Sequence, residues 1–436
     1  MESKRREPNL KTTATDPVLP QNKSRIEGFF ADLGPGLITG CADDDPSGIG
    51  TYSISGAAFG YSVLWTALVS LPLMVAVQMM CGRLGMVTGH GLAGAIRRRY
   101  SKWVLWFACS LLIIANVVNI AADLGAMGDA THMITGVNAL FWTPLFTAAI
   151  VGFLFWSSYR RIARIFKWIT LVLLAYVIAA FFAGAHWREA LLATLHPHVI
   201  WSRAYMEVLV GILGTSISPY LFFWQASQEV EEERAQGKSL AQRKGATDTE
   251  LRRLRTDVIT GMFASNFIMY FIILTTAATL HAHGTVNITT AKQAAEALRP
   301  LAGNAAYLLF TLGLIGTGML GVPVLAGSCA YAISEAAAWR GSLDKKPRRA
   351  GKFYAVLGVA MALGLGIDAM GLDAVKMLFW SAVVNGVLAP PLILLILLLT
   401  RDRKVMGDRV NSALLEGLGW TTFLLMTGGA LGLLFA

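Results

Sequence analysis

The sequence predicts an all-α membrane protein of about eleven transmembrane helices, built as two inverted halves of five helices in which helices one and six are broken. Three observations lead to this prediction. The 436-residue chain is 55% hydrophobic and only 15% charged, whereas soluble domains are about 25% charged, so it lacks the polar surface to face water. Long apolar runs recur along it, and two of them are interrupted by proline at equivalent positions.

Each predicted span is an apolar run of about 20 residues, the length that crosses the hydrocarbon layer of a bilayer. The predicted spans are 29–57, 61–82, 103–127, 139–156, 165–185, 204–226, 257–281, 303–331, 353–370, 374–399 and 413–435. We expect a disordered cytoplasmic tail over 1–28 and one transmembrane domain over 29–436. Within that domain we place repeat one at about 29–185, repeat two at about 204–399 and an extra helix at 413–435.

The basic residues predict the orientation. With the N-terminus inside, all of the 37 Lys and Arg lie on the cytoplasmic side except Arg188, Arg203, Lys292, Arg299 and Lys376. This asymmetry predicts a multi-pass protein of the cell (inner) membrane with a cytoplasmic N-terminus and the C-terminus outside. The net charge of +10 therefore indicates contact with anionic lipid rather than nucleic acid. The charged run 229–255 is expected to be a solvated amphipathic linker.

The most informative segment lies inside the first span, where three carboxylates, Asp43, Asp44 and Asp45, precede Pro46 and Gly48. Proline removes an amide donor and clashes with the preceding turn, so the helix should break here. An unwound segment at membrane depth is tolerated where it lines a cavity or is buried in protein, and intramembrane carboxylates are costly. We therefore expect a functional site, the alternative being a loop between two short helices that binds nothing. One of the first two aspartates should cap the second half-helix or pair with Lys or Arg.

The sixth span has a matching interruption at Pro219. A structural kink is the alternative there, because neighbouring Ser and Thr can bond the freed carbonyls. Paired breaks in two halves of opposite topology nevertheless indicate an inverted-repeat transporter, in which unwound carbonyls and half-helix C-termini coordinate a cation. The predicted metal ligands are Asp45, Thr215, Ser218, Tyr220 and Gln225, with a possible second shell of Asp43, Asp44, Gly48, Asp123 and Asn385. Gln225 could equally serve only to pack the bundle, Asn385 is a weaker candidate of the same kind, and Tyr220 could hydrogen-bond a hydrated ion or simply pack.

Five short stretches carry a family resemblance: 34–36 (Gly-Pro-Gly), 78–93, 122–124 (Ala-Asp-Leu), 159–161 (Tyr-Arg-Arg) and 256–258 (Thr-Asp-Val). Together they resemble the Nramp metal transporters (natural resistance-associated macrophage proteins) over nearly the whole chain beyond the N-terminal tail. The resemblance implies the leucine-transporter fold, a divalent metal ion as the transported substrate and alternating access. It implies neither an enzyme nor a cofactor.

The chain departs from the family at the metal site. The family motif Asp-Pro-Gly-Asn is Asp-Pro-Ser-Gly at 45–48, so its metal-binding Asn is replaced by Gly48. The motif Met-Pro-His is Ser-Pro-Tyr at 218–220, which removes a thioether ligand and a histidine. A glutamate that the family links to proton movement corresponds to Ala126, and a second histidine corresponds to Gln225.

These departures predict a hard, all-oxygen site suited to Mg²⁺ or Mn²⁺, since the soft thioether is absent. The loss of side-chain volume also predicts a larger site that accepts a cation with some of its waters. Proton coupling should be weak or absent, with Asp123 as the remaining titratable candidate. The alternative function is transport of an organic solute such as an amino acid, although three aspartates disfavour an anionic substrate. No nucleotide-binding or hydrolase motif is visible.

Overall fold

The computed structural model describes residues 34–156, 170–238, 245–339 and 341–435. All regular secondary structure in these ranges is helical. The predicted tail over 1–28, the stretch 159–161 and the first residues of the predicted span 165–185 lie outside them.

The first half of the chain contains six principal helices. In order they are α1 (Pro35–Asp43), α2 (Pro46–Phe59), α3 (Trp65–Thr88), α4 (Lys102–Thr135), α5 (Ala139–Trp156) and α6 (Leu174–Phe182). Short helices at Leu92–Arg99 and Trp187–Leu195 follow α3 and α6 respectively. Since α1 and α2 have only 9 and 14 residues, neither is long enough to cross a bilayer alone, and together they form the broken first span.

The second half repeats this arrangement and adds one helix. Its members are α7 (Arg203–Ser216), α8 (Pro219–Ala235), α9 (Asp248–Thr279), α10 (Ala306–Ala336), α11 (Gly351–Asp368), α12 (Ala374–Thr400) and the extra helix α13 (Ala413–Phe435). Short helices at Ala291–Ala295 and Arg299–Ala302 lie between α9 and α10, and Arg403–Met406 follows α12. Helices α7 and α8 are the two parts of the broken sixth span.

Within the described ranges, nine helical stretches are long and apolar enough to cross a membrane, counting the broken sixth span as one. The first span and α6 account for the other two predicted spans. The stretch Leu171–Phe182, which includes α6, is long and apolar enough to cross a membrane only together with the helix Trp187–Leu195, and the two meet at a bend of 116°. The predicted all-α membrane architecture is confirmed.

The prediction of a solvated linker over 229–255 is wrong for its first and last residues, which are helical. Helix α8 continues to Ala235, and α9 begins at Asp248 behind a capping box formed by Thr247 and Glu250. This box satisfies amides at the start of α9, so a charged sequence that looks like a linker is helical. Three glutamates of the segment are buried rather than solvated: Glu229, Glu231 and Glu233.

Glycines allow the two broken spans to pack backbone to backbone on their neighbours. A Cβ atom added to Gly40 of α1 would lie 2.2 Å from the carbonyl oxygen of Gly261 in α9. In the second half, a Cβ added to Gly214 of α7 would lie 2.1 Å from the carbonyl oxygen of Ala382 in α12. Small residues permit such close helix contacts in membranes. Each broken span is therefore held against a neighbouring helix by contacts that tolerate no side chain.

We predict that Gly40→Ala destabilises the protein, because the added methyl group would force α1 and α9 apart. Overpacking of this kind costs about 1–3 kcal/mol. Gly366→Ala in α11 is the matched control, because an added Cβ there meets nothing within 4 Å. Thermal unfolding in detergent should show a lower melting temperature for Gly40→Ala alone, and equal melting temperatures would contradict the close contact.

Candidate functional site

The break in the first span is organised by Asp45, the N-cap residue of α2. Its Oδ1 atom accepts hydrogen bonds from the backbone N–H of Gly48 at 2.9 Å and from the hydroxyl of Ser47 at 2.7 Å. The expectation that Asp43 or Asp44 would cap this helix is wrong. Only the residue directly before the first helical turn can reach the amide three positions later, and that residue is Asp45.

Two other helices reach the second oxygen of Asp45. The side-chain amide of Asn119 in α4 donates to Oδ2 at 2.9 Å, and the hydroxyl of Tyr220 in α8 lies 3.2 Å from the same atom. The Tyr220 hydroxyl is also 2.8 Å from the carbonyl oxygen of Ala42, at the end of α1. The Asp45 side chain is only 1% exposed. Both breaks and helix α4 therefore meet at this carboxylate.

Asp123 and Asn385 lie in the layer of contacts beyond the direct partners of Asp45. Asp123 accepts a hydrogen bond from the backbone N–H of Ser47 at 3.0 Å, and its Oδ2 atom is buried with no hydrogen-bond partner among the described residues. The side-chain amide of Asn385 lies 3.5 Å from Oδ1 of Asn119. A polar chain thus runs from Asp45 through α4 to α12.

The contacts of Asp45 are all with neutral groups. Over the described ranges, no Lys, Arg or His forms an ion pair with Asp45 or with the nearby carboxylates Asp43, Asp44 and Asp123. In the same ranges, no group of three His, Cys, Asp or Glu side chains is arranged to hold a metal ion. A cation bound beside Asp45 would therefore be coordinated by at most two carboxylates. Its remaining ligands would be hydroxyls, amide oxygens, carbonyls or water.

The predicted ligands Thr215 and Ser218 differ in their surroundings. The Ser218 hydroxyl lies 2.7 Å from the carbonyl oxygen of Gly214 and 2.6 Å from that of Thr215, so it can donate to either of them at the end of α7. This is the local bonding that competes with a ligand role. Thr215 lies against the first break, since a Cβ added to Gly48 would be 3.3 Å from its hydroxyl oxygen.

Gln225 does not reach Asp45. Its amide oxygen accepts a hydrogen bond from the hydroxyl of Thr39 at 2.6 Å, and its amide nitrogen donates to Glu229 at 2.8 Å. Gln225 follows Tyr220 by more than one helical turn, which places it about 7 Å further along α8. In this conformation it links α1 to α8, so the packing alternative describes it better than the ligand role.

The structure does not support the expected gain in volume at Gly48. A Cβ added there would lie 3.2 Å from the Asp43 carbonyl oxygen, 3.3 Å from the Thr215 hydroxyl and 3.4 Å from the Tyr52 ring. The Asp43 backbone and the Thr215 and Tyr52 side chains therefore already crowd the position of an added side chain.

Sequence reasoning missed two residues that contact the aspartates. Asn119 precedes Asp123 by four positions, so both lie on one face of α4, and this spacing could have identified it. Ser265 contacts Asp43 and Asp44 from the middle of α9. No local pattern distinguishes Ser265, because its role depends on the packing of α9 against α1.

Asp257 in α9 holds the other end of α1. Its carboxylate accepts hydrogen bonds from the backbone N–H groups of Gly34 at 2.8 Å, Gly36 at 2.6 Å and Leu37 at 3.0 Å. These amides have no partner within the helix, and a carboxylate is favoured at a helix N-terminus. Asp257 thereby fixes the half-helix that ends at the aspartates.

Comparison with known proteins agrees with this architecture. The profile of the family described as natural resistance-associated macrophage protein-like matches residues 36–436. The chain belongs to the Nramp family. The resemblance predicted from short motifs is confirmed.

Solved structures of other proteins share the fold of this Nramp chain. A manganese transporter from Eremococcus coleocola superposes with a TM-score of 0.74 at 17% identity, covering 95% of this chain and 88% of the other. The closed form of Mhp1, a nucleobase-cation-symport-1 family transporter, gives 0.60 at 14% identity, covering 92% and 91%. MhsT in complex with L-phenylalanine gives 0.61 at 12% identity, covering 91% and 98%. At such identities the likeness establishes the fold.

We predict that Asp257→Ala frees the start of α1, because three amides lose their shared acceptor. Hydrogen exchange of residues 34–43 should become faster, as measured by mass spectrometry on the full chain. The matched control is Asp373→Ala, which removes an N-cap that accepts from the amide of Lys376 in α12. Unchanged exchange of 34–43 in Asp257→Ala, or equal acceleration in both variants, would contradict the assignment.

Proposed function

We propose that this Nramp protein carries a divalent metal cation across the cell (inner) membrane by alternating access, with Asp45 as the charged ligand. The observation that carries the proposal is a buried carboxylate at a helix break that contacts only neutral donors. The family and the shared fold with a manganese transporter support the proposal. The distribution of Lys and Arg supports a cytoplasmic N-terminus and an outside C-terminus.

The contacts of Asp45 suggest how an ion could be both held and released. Moving a carboxylate to the centre of a membrane helix costs about 3 kcal/mol on insertion scales. Hydrogen bonds to a charged group contribute about 1.5–3 kcal/mol each, so the donors from Ser47, Gly48 and Asn119 offset this cost. A cation that coordinates Asp45 must displace some of these donors. They stabilise the carboxylate again when the ion leaves, which favours release over permanent binding.

We infer that the transported ion is hard, with Mg²⁺ or Mn²⁺ as the candidates. The groups within hydrogen-bond distance of Asp45 are hydroxyls, an amide and a backbone N–H, and a thioether is absent from positions 218–220. Hard cations prefer oxygen ligands, and Mg²⁺ in particular keeps several waters. Thr215 and Tyr220 are the side chains best placed to contact an ion or its waters beside Asp45.

We propose that coupling to protons is weak or absent. Ala126 occupies the position at which the resemblance would place a proton-linked glutamate, and it is buried. Gln225, in place of a histidine, is bonded to Thr39 and Glu229. Asp123 is the remaining carboxylate of α4 beside the break, and it binds the amide of Ser47.

We predict that Asp45→Asn abolishes metal uptake while the protein stays folded, because the amide keeps the shape but loses the charge. Uptake of Mg²⁺ and Mn²⁺ into proteoliposomes should fall to the level of empty liposomes. Asp402→Asn is the matched control, since Asp402 pairs with Arg99 at the surface. Equal flux in wild type and Asp45→Asn would refute the role of Asp45. Inhibition by amino acids but not by metals would favour the organic-solute alternative.

We also predict that an inward proton gradient leaves the initial rate of metal uptake within about twofold of its value without a gradient. The measurement combines metal uptake with a pH-sensitive dye trapped in the same proteoliposomes. Acidification of the lumen in a fixed ratio to metal uptake, absent from Asp45→Asn liposomes, would show proton coupling and contradict the proposal.

A further inference from the structure

Asp43 and Asp44 form a second pair of buried carboxylates at the first break. Both lie within hydrogen-bond distance of one hydroxyl, that of Ser265 in α9, at 2.6 Å from Asp43 Oδ2 and 3.1 Å from Asp44 Oδ1. Their exposed fractions are 1% and 5%. Nothing in the mechanism proposed for Asp45 uses either of them.

This pair lacks enough hydrogen-bond donors. A serine hydroxyl carries one proton, so Ser265 can donate to only one of the two carboxylates at a time. The other oxygen of Asp43, Oδ1, is buried and has no hydrogen-bond partner in the part of the chain that the structure describes. Nor does either carboxylate form an ion pair with a described Lys, Arg or His. A buried carboxylate is stable when it is protonated, paired or bound to a metal ion. Because no described basic residue pairs with Asp43 or Asp44, either a proton or a cation must balance their charge.

The pair is separate from the Asp45 site in its contacts. Asp45 is bonded by residues of α2, α4 and α8, whereas the shared hydroxyl of the pair comes from α9. Further hydroxyls lie beside the pair. The Tyr52 ring of α2 lies near the Asp43 backbone, since a Cβ added to Gly48 would be 3.4 Å from that ring and 3.2 Å from the Asp43 carbonyl oxygen, and the Tyr52 hydroxyl lies 3.2 Å from that of Ser216. The Ser265, Tyr52 and Ser216 hydroxyls therefore offer oxygen near the pair, with the Met269 sulfur 3.4 Å from the Ser216 hydroxyl.

We propose that Asp43, Asp44 and Ser265 form a second cation site, distinct from the Asp45 site, which binds a small hard cation through oxygen ligands. Na⁺ and Mg²⁺ both belong to this class. An ion held here would tie the end of α1 to α9, so its binding would favour the conformation in which these two helices are packed together. Ion binding at this site does not depend on the transport of a metal ion at Asp45.

The test measures cation binding to the full-length protein in detergent, at fixed pH, with choline chloride holding the ionic strength constant. One arm titrates NaCl and the other titrates MgCl₂, and each is followed by calorimetry and by the melting temperature. In the Asp45→Asn background, at least one of the two cations should still give saturable binding and a rise in melting temperature. Adding Ser265→Ala or Asp43→Asn should weaken that binding about tenfold or more.

Ser55→Ala is the matched control, because this buried serine of α2 donates to the Thr51 carbonyl and has no hydrogen bond to a carboxylate within the described ranges. It should leave binding in both arms unchanged. The arm that saturates identifies the ion. The proposal is overturned if Asp45→Asn removes all saturable binding, or if Ser265→Ala and Asp43→Asn both bind like their parent. Uptake that persists in Asp45→Asn, together with cation binding that depends on Asp43, would instead reject the proposed function and leave this site standing.

Discussion

The structure depends on one buried carboxylate, Asp45, where two broken helices and α4 meet. Pro46 ends regular helical bonding before α2, and the Asp45 side chain replaces part of what is lost by accepting from the amide of Gly48. The same carboxylate accepts from Asn119, and the Tyr220 hydroxyl lies beside it. Capping, helix packing and the proposed ion binding thus all use the same two oxygens.

The close approach of α1 and α9 depends on two glycines and on Asp257. Gly40 and Gly261 bring α1 against α9, while Asp257 fixes the N-terminal end of α1. Because α1 is held at both ends, Asp43, Asp44 and Asp45 at its C-terminal end stay buried, although they face no described basic residue. A movement of α1 relative to α9 would change the surroundings of Asp43 and Asp44 directly, and those of Asp45 through Ala42 and Tyr220.

Features that depend on local chemistry could be predicted from the sequence. Pro46 and Pro219 located both breaks, and Asp45 was identified because a charge beside proline in an apolar run is unusual. Contacts between distant segments could not be predicted, and so Ser265 was missed. The helical ends of 229–255 were also missed, because charge density there outweighed the capping signal of Thr247 and Glu250. Gln225 is predicted from the resemblance, as the counterpart of a histidine, whereas its partners depend on how α1 packs against α8.

The central claim is that Asp45 binds the transported metal ion directly. Crystals of the wild-type protein soaked in Mn²⁺, measured at a wavelength with strong manganese anomalous scattering, test it most directly. We expect an anomalous peak at about 2.0–2.6 Å from an Asp45 oxygen, absent from Asp45→Asn crystals, with oxygen atoms completing the coordination. A manganese peak bound elsewhere in a transport-active protein, with the hydrogen bonds of Asp45 unchanged, would contradict it.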